Sequence, residues 1–187
     1  MRDWVRSAWA LARRKRPMAA LLLAVLMVLP AAGFAEDAEK EAGEKEPAAI
    51  LEFSGVVGWS LPDGTVSAGP GIAVEFTPIE HWLEIETGTA AVFRHHTTEW
   101  DTDILFKKPW TLSDKVEFMA GAGPEWVAVR QEGATVNSVA AEVVADFMFW
   151  PTAKRRFGWY VEPGYEYDFA QHEHGLGFST GLLIAIP

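Results

Sequence analysis

The side chains that could do chemistry in this chain are carboxylates placed at every second position. From Phe157 to Phe169 the sequence reads FGWYVEPGYEYDF. Glu162, Glu166 and Asp168 fall on one side of that alternation; Trp159, Val161, Pro163, Tyr165, Tyr167 and Phe169 fall on the other. A period of two is an extended strand with two unlike faces. The same parity elsewhere puts Glu52, Glu75, Glu84, Glu86, Asp103, Glu117, Glu125, Glu142 and Asp146 on the polar side, with only Arg94, Lys107 and Arg156 as matching bases. Enclosed carboxylates must be paired, hydrogen-bonded, hydrated or protonated, because an isolated buried charge is costly. The pattern predicts either a polar plug, bonded to Tyr160, Ser138 and the few bases, or an interior that attracts cations or handles protons.

Two further constellations carry chemistry. His95-His96 and His172-Glu173-His174 occupy two loops at one end of the alternating segments. With Glu99 and Asp101 they would offer nitrogen and oxygen ligands to zinc or copper, although loop histidines commonly have no role beyond solvation. Ser179, His174 and Glu166 have the residue types of a serine hydrolase. A serine in a glycine-rich strand is more simply explained by its size. No phosphate-binding glycine loop, metalloprotease helix or paired-carboxylate glycosidase motif is present, and no cofactor is expected.

The elements that must position these groups are eight extended segments from Ile50 onward, with no helical stretch. They run over about Leu51–Ser60, Thr65–Thr77, Trp82–His95, Asp101–Lys108, Lys115–Arg130, Val136–Trp150, Phe157–Phe169 and Gly175–Ile186. In the fourth, Ile104 and Phe106 oppose Asp103 and Lys107, and Leu105 breaks the pattern. Pro62-Asp63-Gly64 makes a tight turn. The second, fourth and sixth connections pair proline with tryptophan: Pro78 with Trp82, Pro109 with Trp110, Trp150 with Pro151. The third, fifth and seventh lack proline and are rich in His, Glu, Gln and Thr. An up-and-down meander whose two ends face different surroundings gives this asymmetry. Pro70, Pro124 and Pro163 lie inside segments, each beside a glycine, and predict bulges or bends, because proline cannot donate to a ladder.

Ahead of the segments, Arg2, Arg6, Arg13, Arg14, Lys15 and Arg16 form a basic leader, and Met18–Leu29 is an apolar run of signal-peptide length. Gly33-Phe34-Ala35 offers small residues for cleavage after Ala35, so residues 1–35 read as a signal peptide. Residues 36–49 are an acidic segment with little to bury and read as a disordered linker. Residues 50–187 form one domain. Beyond the leader the chain holds ten basic and twenty-five acidic side chains, a net of −15. That balance argues against a nucleic-acid partner. With no cysteine, disulfides and thiolate metal sites are excluded.

An even number of antiparallel strands can close and leave no unpaired edge. Two arrangements satisfy the alternation. In a lipocalin-like periplasmic barrel the apolar face turns inward. In an outer-membrane barrel it faces lipid and the polar face lines the interior. Glycine and alanine beside the carboxylates suit a narrow polar interior, and tryptophans at segment ends suit a membrane–water interface. On these features the chain resembles the small eight-stranded outer-membrane β-barrels of Gram-negative bacteria, of the OmpA-type and OmpW-type membrane domains. The resemblance implies an all-β antiparallel up-and-down transmembrane barrel, contact with outer-membrane lipid and insertion by the barrel assembly machinery. It further implies a structural or binding role in the envelope, with passage or sensing of a small cation or solute, and lipid-modifying hydrolysis, as the alternatives. Such barrels usually end on an aromatic residue, whereas this chain ends Ile184-Ala185-Ile186-Pro187.

Overall fold

The computed structural model describes residues 47–94, 97–152 and 154–187. The signal-peptide assignment, residues 36–46 of the acidic segment, and His95 and His96 lie outside the described residues. The rest folds as eight strands: β1 (Ala49–Ser60), β2 (Val66–Ile79), β3 (Leu83–Arg94), β4 (Thr97–Ser113), β5 (Val116–Gln131), β6 (Ala134–Phe149), β7 (Phe157–Asp168) and β8 (Glu173–Ile186). Each pairs antiparallel with its sequence neighbour, and β1 pairs with β8, so the sheet closes in the order β1 to β8. Closure gives every strand two hydrogen-bonded neighbours and leaves no edge.

Strand alternation fixes which side chain goes in. Phe53, Trp59, Ile72, Phe93, Phe106, Trp126, Phe178 and Leu182 are exposed on the outer surface. Glu52, Glu75, Glu84, Glu86, Lys107, Glu125 and Asp146 are buried inside. The apolar-inward lipocalin-like arrangement is therefore not the one adopted.

Four expectations from the sequence are corrected. First, β4 is long. It begins at Thr97 and runs through Pro109 and Trp110 to Ser113. The stretch read as a loop before Asp101 pairs with β3 and β5, and Pro109 sits opposite Met119 inside the ladder. Leu105 does not break the alternation; it is an apolar residue on the inner face, 1% exposed. Second, Pro70, Pro124 and Pro163 do not create bulges. Pairing lapses beside each of them and resumes in the same register: between Ala68 and Gly71 on β2, between Asp103 and Phe106 on β4, and between Val144 and Phe147 on β6. The register shifts lie elsewhere, between Phe76 and Ile79 and between Thr111 and Ser113. A missing N–H removes a hydrogen bond without adding a residue, so the ladder opens locally and keeps count.

Third, Trp150 does not join the exposed tryptophans. It turns inward, 1% exposed, and packs with Ile50, Met119, Met148, Tyr160 and Leu183. This apolar cluster fills the barrel at the end that carries the β1 start and the β8 finish. Fourth, Arg156 is not an interior base. It is exposed in the β6–β7 turn, where Arg155 instead donates to Glu117 Oε2 at 3.0 Å.

Candidate functional site

Lys107 is the one buried basic side chain among the described residues. It enters from β4 and reaches across the barrel. Its Nζ donates to Glu86 of β3, to Asp146 Oδ2 of β6 at 3.2 Å and to Glu162 Oε2 of β7 at 2.6 Å. Glu75 Oε2 of β2 stands 4.0 Å away. One ammonium thus links strands on opposite sides of the cylinder. Room for its stem comes from Gly121, its cross-strand partner: a Cβ there would stand 2.6 Å from Lys107 Cγ and 2.8 Å from Phe106 O. The serine on the same level serves this knot, since Ser179 Oγ donates to Glu162 Oε1 at 3.2 Å.

The carboxylates outnumber their partners. Glu75 lies directly opposite Glu86, Asp103 opposite Glu125, and Glu142 opposite Glu166. Like charges facing each other across a ladder destabilise it unless something offsets them. Part of the set is satisfied. Asp103 Oδ1 accepts from Gly88 N at 3.1 Å, and Asp168 Oδ1 accepts from Ala170 N and Gln171 N, both at 2.8 Å. Asp168 is thereby a turn-capping residue of the β7–β8 connection. Arg94 meets Glu99 at 3.7 Å near the same end. Glu52 Oε1, both oxygens of Glu75, Asp101 Oδ1, Glu125 Oε2 and Asp146 Oδ1 are buried with no hydrogen-bond partner. Glu84 is buried beside them. Among the described residues, the group able to place three ligand atoms around one ion is Glu52, Glu75 and Glu86, whose oxygens lie within 4.8 Å of one another.

Of the histidine constellation, His95 and His96 lie outside the described residues. His174 packs against Tyr165 and Tyr167 on the outer face, bonding Tyr165 Oη through Nδ1, and His172 Nδ1 meets Tyr167 Oη at 3.1 Å. Glu99 and Asp101 belong to the inner face of β4, on the other side of the sheet. The serine hydrolase arrangement fails for the same reason: Ser179 points inward to Glu162, whereas His174 points outward.

The decisive geometry is a closed ring of eight antiparallel strands, charged within and apolar without. The fold is that of the small outer-membrane barrels. Neisserial surface protein A superimposes with a TM-score of 0.61 at 11% identity, covering 76% of this chain and 100% of that one. The N-terminal β-barrel domain of Pseudomonas aeruginosa OprF gives 0.54 at 10%, covering 75% and 100%. Ail, the attachment invasion locus protein of Yersinia pestis, gives 0.51 at 12%, covering 75% and 99%. At these identities the likeness is one of fold. No family model matches the chain, and no curated protein does either.

Parity puts Glu52, Glu75, Glu84, Glu86, Glu125, Asp146 and Lys107 on one face, and all seven are buried; it does not put Glu99 and Asp101 there, because the sequence groups them with the histidine loop, and it does not show the centrality of Lys107. The signal for that was present: one lysine shares the polar parity of a strand directly opposite a glycine, Gly121. It missed Trp150 as an interior group because tryptophan beside proline reads as a surface turn.

Proposed function

We propose that this chain is a small outer-membrane barrel whose apolar surface meets lipid and whose interior is acidic and closed by its own side chains. Its role is structural or binding within the envelope. The observation that carries the reading is the inversion of the soluble-protein pattern. Trp59, Trp100, Trp126, Trp82, Trp110 and Trp159 are all exposed, while Lys107 and Asp146 are fully buried. In water such a surface would aggregate. In a bilayer it is the required one, with tryptophans as the interfacial girdles.

Two features support a closed interior. The Ile50, Met119, Met148, Trp150, Tyr160 and Leu183 cluster occupies one end, and the Lys107 knot ties the walls above it. Eight strands enclose room for little beyond side chains. The hydrolase alternative has no support in the position of Ser179. The test has two arms. Membrane fractionation followed by gels of unheated and boiled samples is expected to place the protein in the outer membrane and show a faster-migrating unheated form. Planar-bilayer recording is expected to show no steady conductance. A soluble protein with no heat-dependent shift would refute the compartment, and stable channels would favour passage of small solutes over a structural role.

A further inference from the structure

We propose that Glu52, Glu75 and Glu86 form a buried binding site for a divalent cation of calcium-like size. The three come from adjacent strands β1, β2 and β3, and each offers one oxygen within 4.8 Å of the others. Clustered carboxylates alone would not suffice. The second observation is Glu75 itself, which is 1% exposed, faces the cluster, and has no N–H or hydroxyl donor on either oxygen, its side-chain neighbour Glu84 being another carboxyl. Glu52, equally buried, leaves Oε1 in the same condition. A buried ionised carboxylate with no donor has lost its hydration and gained nothing in return.

Lys107 does not supply what is missing. Its Nζ is committed to Glu86 Oε2, Asp146 and Glu162, and stays 4.0 Å from Glu75 Oε2, beyond hydrogen-bond reach. Glu86 therefore belongs to both groups, holding the ammonium through Oε2 and offering a carboxylate oxygen to the set of three. One ammonium faces Glu75, Glu86, Asp146 and Glu162, with Glu52 as a further carboxylate, so a divalent ion reduces a charge excess that the lysine leaves standing.

Size and ligand type select among cations. Three carboxylate oxygens with no nitrogen or sulfur suit hard ions. Calcium–oxygen bonds of about 2.3–2.6 Å put opposed ligands about 4.6–5.2 Å apart, whereas magnesium at about 2.0–2.1 Å needs about 4.0–4.2 Å. Three oxygens within 4.8 Å of one another cannot all be opposed; calcium, which takes irregular sets of about six to eight oxygens, accepts them more readily than magnesium, which demands near-ideal octahedral geometry.

The chemical rival is a proton shared between carboxyl groups, with Glu84 adjoining Glu75 as a further member. The experiment separates the two. Full-length barrel refolded in detergent micelles in the presence of EDTA, then freed of it, is titrated with CaCl2 by calorimetry. One equivalent is expected to bind in the wild type. Glu75→Gln is expected to weaken binding by more than about tenfold, as loss of a direct ligand should exceed loss of a supporting one. Glu166→Gln, at the far end of β7, is expected to leave binding unchanged. Absence of heat in the wild type, or equal binding by Glu75→Gln, overturns the site. Should Glu75→Gln not fold, Glu52→Gln takes its place. The wild-type unfolding midpoint must also rise with CaCl2 over EDTA, as a ligand of the folded state requires; an unchanged midpoint counts against the site. An infrared carboxylic-acid band that persists in saturating CaCl2 and disappears in Glu75→Gln would assign these oxygens to a shared proton instead. The site rests on the interior geometry alone, so a failed fractionation would not touch it and a silent calorimeter would not touch the membrane reading.

Discussion

At the scale of single residues, the interior turns on Lys107. Its ammonium is fully buried and bonded to carboxylates of three other strands. The net value of such a knot against an apolar core is small, because desolvation offsets attraction. Removing one partner is a different matter, since it strands the others. Lys107→Met, close in volume, leaves Glu86, Asp146 and Glu162 facing one another with no cation between them. It is expected to destabilise the barrel by about 3–5 kcal/mol in urea unfolding from micelles, and wild-type stability in that variant would show the carboxylates to be compensated otherwise. At the mouth remote from the termini, Asp63 gives the pH-dependent counterpart. The Thr65 backbone N–H donates to Asp63 Oδ1 at 2.9 Å and holds its carboxyl below the usual 3.8. A lowered folded pKa means the β1–β2 turn is favoured above the ordinary carboxylate value and loses that contribution as pH falls through the folded one. The Thr65 amide resonance is expected to titrate with a midpoint below 3.8 and to stop titrating in Asp63→Asn.

At the scale of elements, alternation made the strands and their inner faces legible, because each residue of a closed sheet has only two directions to point. The bounds of all the strands but β4 fall within two residues of those the pattern suggests. β4 was less legible. Its first turn's worth of residues, TTEW, has no apolar–polar rhythm, and Pro109 looks like an end; both are carried by pairing to β3 and β5, which a single segment does not display. The site was legible as a list and not as an arrangement. Parity places Glu75 and Glu86 inside, but only the register sets them face to face. Parity equally puts Ser179 and His174 on opposite faces, so the hydrolase grouping was already excluded by the alternation itself. Beside Pro70 and Pro124 the strands also approach closely through the preceding glycine. At Gly123, just before Pro124, a Cβ would lie 1.8 Å from Ile104 O. Gly123→Ala must push β4 and β5 apart at the point where proline already weakens their ladder. A cost of about 1–3 kcal/mol is expected, as for other overpacked sites. Amide exchange should rise locally in β4 and β5, and unchanged exchange there would show that the strands yield without strain.

At the scale of the whole molecule, everything depends on which medium surrounds the outer face. Exposed and half-buried aromatics of the outer face stack on one another. Trp110 stacks on Phe118 and Phe118 meets Phe147 at a tilt, with ring centroids 5.4 and 4.9 Å apart across β4, β5 and β6, and Phe149 and Trp159 form a separate stack at 4.1 Å. These contacts lie on β4 to β7, near the end carrying the termini. Beside them Lys108 leaves the apolar surface to donate to His81 O at 3.3 Å in the β2–β3 turn, as a lysine at a membrane edge reaches for polar surroundings. Trp59, Trp100 and Trp126 stand toward the opposite end. On the proposed membrane reading these two groups of aromatics would meet the two interfaces of a bilayer, and Trp150, sealed inside, is the internal control. Variants retaining one tryptophan each, with the others changed to phenylalanine, can be folded into vesicles of lipids brominated at graded acyl depths. Trp59 and Trp159 are expected to be quenched most by shallow bromines, while Trp150, shielded by Met119, Met148 and Leu183, is quenched by none. Equal quenching of all three would mean that the barrel has opened or inserted without its interior packing, and no quenching of Trp59 or Trp159 would mean that lipid is not the medium this surface was built to meet.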